Sequence, residues 1–142
     1  MIDFTSELGT RALQRIREDF FLWLTTVDAT GFPQPRPVWF TWDGEAFLVY
    51  SQPAARKLQH IKNNPNVALH FDGGLKGLDV QVILATAEVI NDPIPANQIG
   101  AYLRKYGDEI RSMGATEEEF FREFSVAIRI QPKRLRGMTI SA

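Results

Sequence analysis

The sequence predicts a mainly β fold with flanking helices: a six-stranded, antiparallel barrel in one domain, residues 1–142. Six segments are rich in aromatic and β-branched residues, a composition that suits a pleated, half-buried surface. Short turn signals join neighbouring segments, which favours antiparallel pairing. The remaining periodic segments are amphipathic helices, which must rest one face on a core and so belong outside the sheet.

Ser6 to Asp19 places Leu8, Ala12, Leu13 and Ile16 on one helical stripe, with Ser6 positioned as a cap and Gly9 weakening the helix. Phe20 to Val27 (FFLWLTTV) reads as a buried strand that ends at the turn Asp28 to Gly31. Arg36 to Trp42 is the second strand, and Asp43-Gly44 a tight hairpin into the third, Ala46 to Ser51. Pro53 to Asn63 is a short helix with proline near its first position, where a missing N–H costs nothing. Val67 to Phe71 and Val80 to Val89 are strands on either side of a glycine-rich connection, residues 72–79. Asn97 to Tyr106 and Thr116 to Phe124 are helices, the latter opened by a Thr cap and three glutamates. Ser125 to Gln131 is the last strand.

Composition narrows the function. The 142 residues carry 16 Lys and Arg against 17 Asp and Glu, a net charge of −1. A general nucleic-acid binder needs a marked basic excess. The sequence has no Cys, which excludes disulfides, thiolate nucleophiles and cysteine metal sites. His60 and His70 are the only histidines. Neither has Asp or Glu at ligand spacing, so no metal site is expected. No stretch approaches the roughly 18 apolar residues of a membrane span, and the first residues lack the apolar core of a signal peptide. The expectation is a cytoplasmic protein with neither nucleic-acid nor membrane partners. Glu117 to Glu119, and likewise Arg104, Lys105 and Arg111, read as solvated surface.

The junction YSQPAARKL, residues 50–58, is the most informative stretch. It leads from strand to helix and sets Arg56 and Lys57 at a helix start, where the peptide dipoles already make the surroundings positive. With Ala54, Leu58 and Ile61 as the inward stripe, Lys57 falls at the stripe's border and Arg56 far from it. Lys57 can lay its stem over apolar surface and present its ammonium at the junction. Ser51, free backbone N–H groups and these cations together suit a phosphate. The bland alternative is solvated cations with Ser51 as a cap. In the strand before it, Arg36 shares parity with Val38, Phe40 and Trp42, while Pro37, Trp39 and Thr41 face the other way. Pro35 and Pro37 cannot donate ladder bonds, which marks an edge. Phe40 reads as core; Trp39 fits either core or a ring-binding role.

These residues carry a resemblance. The pattern G-x-P-x-x-R-P-V-W-F, a hairpin, then V-Y-S-x-x-x-x-R-K is similar to the pyridoxamine 5′-phosphate oxidase-like family, the flavin-binding split barrels. It extends from about Phe20 to Pro132 and looks closest to short members that use FMN or coenzyme F-420. The resemblance implies a six-stranded split barrel that forms a homodimer, with a cofactor at each of two sites between subunits. It sets Arg36, Pro37, Val38, Trp39, Phe40 and Thr41 beside the cofactor's ring and side chain. Tyr50 and Ser51 match the strand end that hydrogen-bonds the cofactor, and Arg56 and Lys57 match the pair that grips its phosphate.

No catalytic residue is assigned, because in such enzymes the cofactor performs the transfer. Thr41 stands where full-length oxidases of this kind usually carry Lys, and Met138 where short relatives often show Trp. Nothing after PKRLRGM matches the C-terminal Arg and His that hold pyridoxamine phosphate, so that reaction is not expected. Three readings follow: an FMN- or F-420-dependent oxidoreductase acting on a small-molecule substrate or electron acceptor; a non-catalytic flavin, F-420 or haem carrier; and a regulatory dimer with a vestigial pocket. The Arg36, Ser51 and Lys57 set favours a bound phosphorylated cofactor over the third.

Overall fold

One buried residue, Phe40, divides the predicted second strand in two. In the computed structural model, which describes residues 1–139, the order is α1 (Glu7–Glu18), β1 (Phe21–Val27), β2 (Pro33–Trp39), β3 (Thr41–Trp42), β4 (Phe47–Ser51), α2 (Arg56–Asn63), β5 (Asn66–His70), β6 (Asp79–Ile90), α3 (Ala96–Ser112), α4 (Glu117–Glu123) and β7 (Val126–Thr139). The strands form one sheet in the order β2-β1-β5-β6-β7-β4-β3, with every pairing antiparallel. β2 and β3 are the two sheet edges, yet only Phe40 separates them in the chain. The sheet must therefore curl until its edges meet there. The result is the expected split barrel, with the sixth strand shared between both edges and counted as two.

Phe40 needs special provision at that crossing. Its backbone leaves the β1 ladder before joining the β4 ladder, and the residue is fully buried. The phenol of Tyr106, on α3, accepts from the Phe40 N–H at 2.9 Å. Its hydroxyl lies 2.5 Å from the Phe20 carbonyl and 3.0 Å from that of Phe40. Lys105 Nζ donates to the Phe40 carbonyl at 2.9 Å. Buried backbone groups without partners are costly, and two adjacent residues of one helix provide for both groups here.

Two apolar cores result. The barrel interior is filled by Leu22, Leu24, Phe40, Phe47, Leu69, Ile83, Ile128 and Ile130, with Leu58 and Ile61 of α2 and Ile16 of α1 closing its ends. On the other side of the sheet, Tyr50, Tyr102, Tyr106, Ile110 and Phe120 pack α3 and α4 against β4 and β7. α1 is tied to β6 by polar contacts. Arg11 pairs with Asp79 at 2.6 Å and holds that carboxyl down to about 2. Arg15, buried, reaches Gln81 and the Asp72 carbonyl.

Three expected boundaries differ for physical reasons. α2 begins at Arg56, because Gln52 to Ala55 form a turn closed by the Ala55 N–H on the Gln52 carbonyl at 3.1 Å. Ala54 is exposed, so the inward stripe is Leu58 and Ile61 alone, and Ser51 is not the helix cap. α3 continues to Ser112 because Tyr102, Tyr106 and Ile110 form one buried stripe across Gly107. β7 continues to Thr139 past a register shift opposite Leu84 and Ala85. Gly137 permits this: a Cβ there would sit 1.9 Å from the Val80 carbonyl oxygen. Gly9, suspect in a helix, is needed for a similar close approach, since a Cβ would lie 2.0 Å from the Asp3 oxygen. The expected caps at Ser6 and Thr116 are present, the latter as a full capping box.

The Tyr106 hydroxyl can be tested directly. Tyr106→Phe should lose about 1–3 kcal/mol in urea denaturation, the usual cost of leaving a buried partner unsatisfied. A loss below about 0.5 kcal/mol would mean that the crossing does not depend on the phenol.

Candidate anion-binding site

Arg36 stands opposite Leu24 in the β1–β2 ladder, so both side chains leave the same face of the sheet. Leu24 is buried, whereas Arg36 lies beyond the end of the core and is exposed. Leu58 and Ile61 anchor α2 across that end of the barrel. Between hairpin and helix lies a cavity of about 430 Å³. The hairpin gives it Arg36 and Pro37 above Leu24 and Thr26; the start of α2 gives it Arg56, Lys57 and His60.

The electrostatics favour an anion. Arg56 and Lys57 are the first two residues of α2, whose N-cap, Ala55, offers no side-chain acceptor. The first backbone N–H groups of a helix have no intrahelical partner, and the macrodipole adds positive potential. α4 of the same chain opens on three glutamates and a capping box; α2 has no acid in its first turn. Among the described residues, Arg36, Arg56 and Lys57 make no salt bridge. Burial, and then the charge of Arg36, hold the half-buried Lys57 ammonium below its ordinary range. The carboxylate lining this cavity, Asp28, is committed to its own turn. It accepts from the Thr30 hydroxyl and N–H, the Phe32 N–H and the Gln34 amide. Those bonds, led by the Thr30 side chain, hold it far below the usual carboxylate range.

Of the residues singled out in the sequence, Arg36, Pro37, Arg56 and Lys57 meet in this cavity. Arg56 lines it despite its exposure and its distance from the inward stripe. The other six lie elsewhere. Val38 and Phe40 are in the barrel core. Trp39 stacks on Tyr106 with centroids 4.5 Å apart. Thr41 is buried beside a different cavity. Tyr50 points into the helix-covered cluster, its hydroxyl 3.4 Å from Gln98 and its phenol pushed up to about 12 by burial. Ser51 is buried and donates to the Gln52 carbonyl at 3.0 Å.

Sequence reasoning missed Thr26, Asp28, Gln34 and His60. His60 Nδ1 lies 2.8 Å from Thr26 Oγ1, which fixes the imidazole against β1. The signal was present: His60 follows Arg56 by four and Lys57 by three, one helical face. Thr26 and Gln34 share strand parity with Leu24 and Arg36. Among the described residues, no three His, Cys, Asp or Glu side chains cluster as a metal site would, and no helix is long and apolar enough to cross a membrane.

An antiparallel split barrel with a cationic cradle at one end defines the class. A sequence model of the pyridoxamine 5′-phosphate oxidase family matches residues 9–138, and the chain belongs to that family, one of oxidoreductases. A pyridoxine/pyridoxamine 5′-phosphate oxidase of Citrobacter koseri is 29% identical over 126 residues, 82% of this chain and 58% of the relative. That of Klebsiella pneumoniae is 32% identical over 106 residues, 68% and 49%. The chain thus spans about half the length of the curated relatives it matches. Among solved structures, the haem-storage protein HutZ of Vibrio cholerae gives a TM-score of 0.68 at 20% identity, covering 93% of this chain and 95% of that one. An F420 reductase gives 0.65 at 23% identity, covering 87% and 94%. At such identities the likeness is one of fold.

The cradle makes a pH-dependent prediction. Because the folded-state pKa of Lys57 is depressed, the unfolded chain binds the extra proton, and stability without an anion should rise as pH climbs toward the ordinary lysine value of about 10.4. An anion beside Lys57 raises that pKa and reduces the trend. At neutral pH and fixed ionic strength, inorganic phosphate should raise the melting temperature of the parent by a few degrees and that of Lys57→Ala by less. Equal shifts in both proteins would mean that Lys57 does not hold the anion.

Proposed function

We propose that this chain is an oxidoreductase that binds FMN or the deazaflavin coenzyme F-420 and passes electrons or hydride to a small-molecule acceptor. The carrying observation is the set of three unpaired cations, Arg36, Arg56 and Lys57, around the uncapped start of α2. A phosphate monoester matches that site in charge and in its demand for N–H donors. Family membership supports the reading, as does the fold likeness to a protein described as an F420 reductase.

In this proposal Arg36, Arg56 and Lys57 hold the phosphate. Lysine and arginine supply charge, and the helix start supplies directed N–H groups. His60, fixed by Thr26, forms one wall. The run Pro37, Val38, Trp39, Phe40 and Thr41 borders the cofactor's ring end, with Tyr50 and Ser51 supporting the adjacent β4. When bound, the cofactor supplies the redox chemistry, and the chain supplies grip, orientation and exclusion of water. With Thr41 in place of a lysine, the substrate is proposed to be other than pyridoxamine phosphate.

The proposal includes a homodimer acting in the cytoplasm, each chain one domain. The outer face of the sheet supports dimerisation. Trp23, His70 and Val82 lie in one cross-strand row, with Phe21 beside them and Met138 paired to Val80. Phe21 and Met138 are 43% and 49% exposed. A second copy on a two-fold axis would cover this face and close the paired sites.

The test begins with the absorbance spectrum of the purified protein, followed by titration with FMN and with F-420. Lys57→Ala should weaken binding by about 1.5–3 kcal/mol, the range for a charge-assisted bond, and light scattering should give twice the chain mass. With cofactor bound, a panel of donors and acceptors, pyridoxamine phosphate among them, separates enzyme from carrier. Reoxidation of reduced cofactor should be faster with the protein than without it. Binding with no acceleration across the panel would favour a carrier, and failure of both cofactors to bind would sink the proposal.

A further inference from the structure

We propose that a second cavity, between α1, β3 and α3, binds a small organic anion: a flat apolar body bearing one carboxylate. The cavity holds about 230 Å³ and is lined by Ile16, Arg17, Thr41, Trp42, Ala101 and Lys105. Two of these carry positive charge and none carries negative charge. Among the described residues neither Arg17 nor Lys105 makes a salt bridge. The nearby acid, Asp19, is paired with Arg15 at 2.9 Å.

Lys105 Nζ sits 3.7 Å from the centroid of the Phe40 ring and donates to the Phe40 carbonyl. An ammonium has three donors, so two remain once that carbonyl is served. The Thr41 hydroxyl has no hydrogen-bond partner among the described residues. An arginine fork and an ammonium together suit a carboxylate. The rest of the lining is apolar, with the indole of Trp42 as a flat wall. At roughly 30 Å³ per water molecule, the volume admits a ring-sized ligand and is small for a nucleotide.

The site is separate from the phosphate cradle. Arg36 and Thr41 stand five positions apart on the divided strand, roughly 16 Å of extended chain. The inference therefore does not rest on the cofactor reading and can be tested without cofactor.

Benzoate is a suitable probe, with benzyl alcohol and benzylamine as neutral and cationic counterparts, measured by calorimetry and by the Trp42 indole N–H signal in NMR. Benzoate should bind saturably at one site per chain, benzyl alcohol at least tenfold more weakly, and benzylamine not at all. Arg17→Ala should weaken benzoate about tenfold and Lys105→Met more. Arg17 is exposed, so its variant decides the matter even if Lys105→Met fails to fold. Lys57→Ala and saturating inorganic phosphate should leave benzoate binding unchanged.

Affinity should also fall as pH rises through about 8, where desolvation places the Lys105 ammonium. Asp19 and Arg17 approach from α1 and keep their charges there; Tyr106, on the same helix, is pushed far above that range by burial. Thr41 and Trp42 of β3 do not titrate. Equal binding of benzoate and benzyl alcohol, no saturable binding, or loss on Lys57→Ala but not on Arg17→Ala would overturn the proposal.

Discussion

The whole arrangement depends on how one peptide group is satisfied where the sheet changes edges. A barrel closed by a single strand that serves both edges must release that strand from one ladder before it joins the next. Phe40 is the released residue, and it is fully buried, so water cannot supply the missing partners. The Tyr106 phenol and the Lys105 ammonium do so. This fixes α3 against the barrel through polar contacts as well as through its apolar stripe. It also fixes where Arg36 and Thr41 emerge, one on each side of the crossing. The crossing that closes the fold therefore sets the separation of the two cationic cavities.

The same chain treats its helix starts in opposite ways. α4 carries a threonine cap and acids where the dipole wants them. α2 carries two cations and no cap. Without a ligand that choice is unfavourable, since Lys57 is desolvated and repelled by Arg36. Its persistence in an otherwise well-capped fold points to an anion as the missing term. Local rules of stability are most often broken at functional sites, and α2 breaks several at once. The cost is tolerable because Leu58 and Ile61 hold the helix by burial, independently of its N-terminus.

Much of this was legible in the sequence. The strand segments, the Ser6 and Thr116 caps and the meeting of Arg36 with Arg56 and Lys57 follow from periodicity and turn chemistry. What was hidden depends on tertiary context. Residues 132–139 look like a basic tail, yet they extend β7, with Leu135 facing the core and Arg134 and Arg136 outward. Only the contact at Gly137 shows why the glycine belongs there. Lys105 read as surface because periodicity says nothing of the Phe40 carbonyl waiting across the fold. Tyr50 and Ser51 could be assigned to a strand end, but not to a direction: their side chains turn to the helix-covered side and to the chain's own backbone.

The prolines of β2 complete the picture. Pro33, Pro35 and Pro37 pair with Val27, Thr25 and Trp23, so the backbone donors of this segment are those of Gln34, Arg36 and Val38. An edge strand with three missing donors is a poor template for another strand. That matters beside a cavity. A fully donating edge next to an open, cation-lined cleft would invite a peptide to add to the sheet and cover it. Here alternation assigns each residue type its own task. The prolines blunt the edge, while the intervening Gln34 and Arg36 keep the ladder and turn their side chains toward the cradle. One strand thus protects the barrel from extension and holds the cleft open for a ligand that binds by charge.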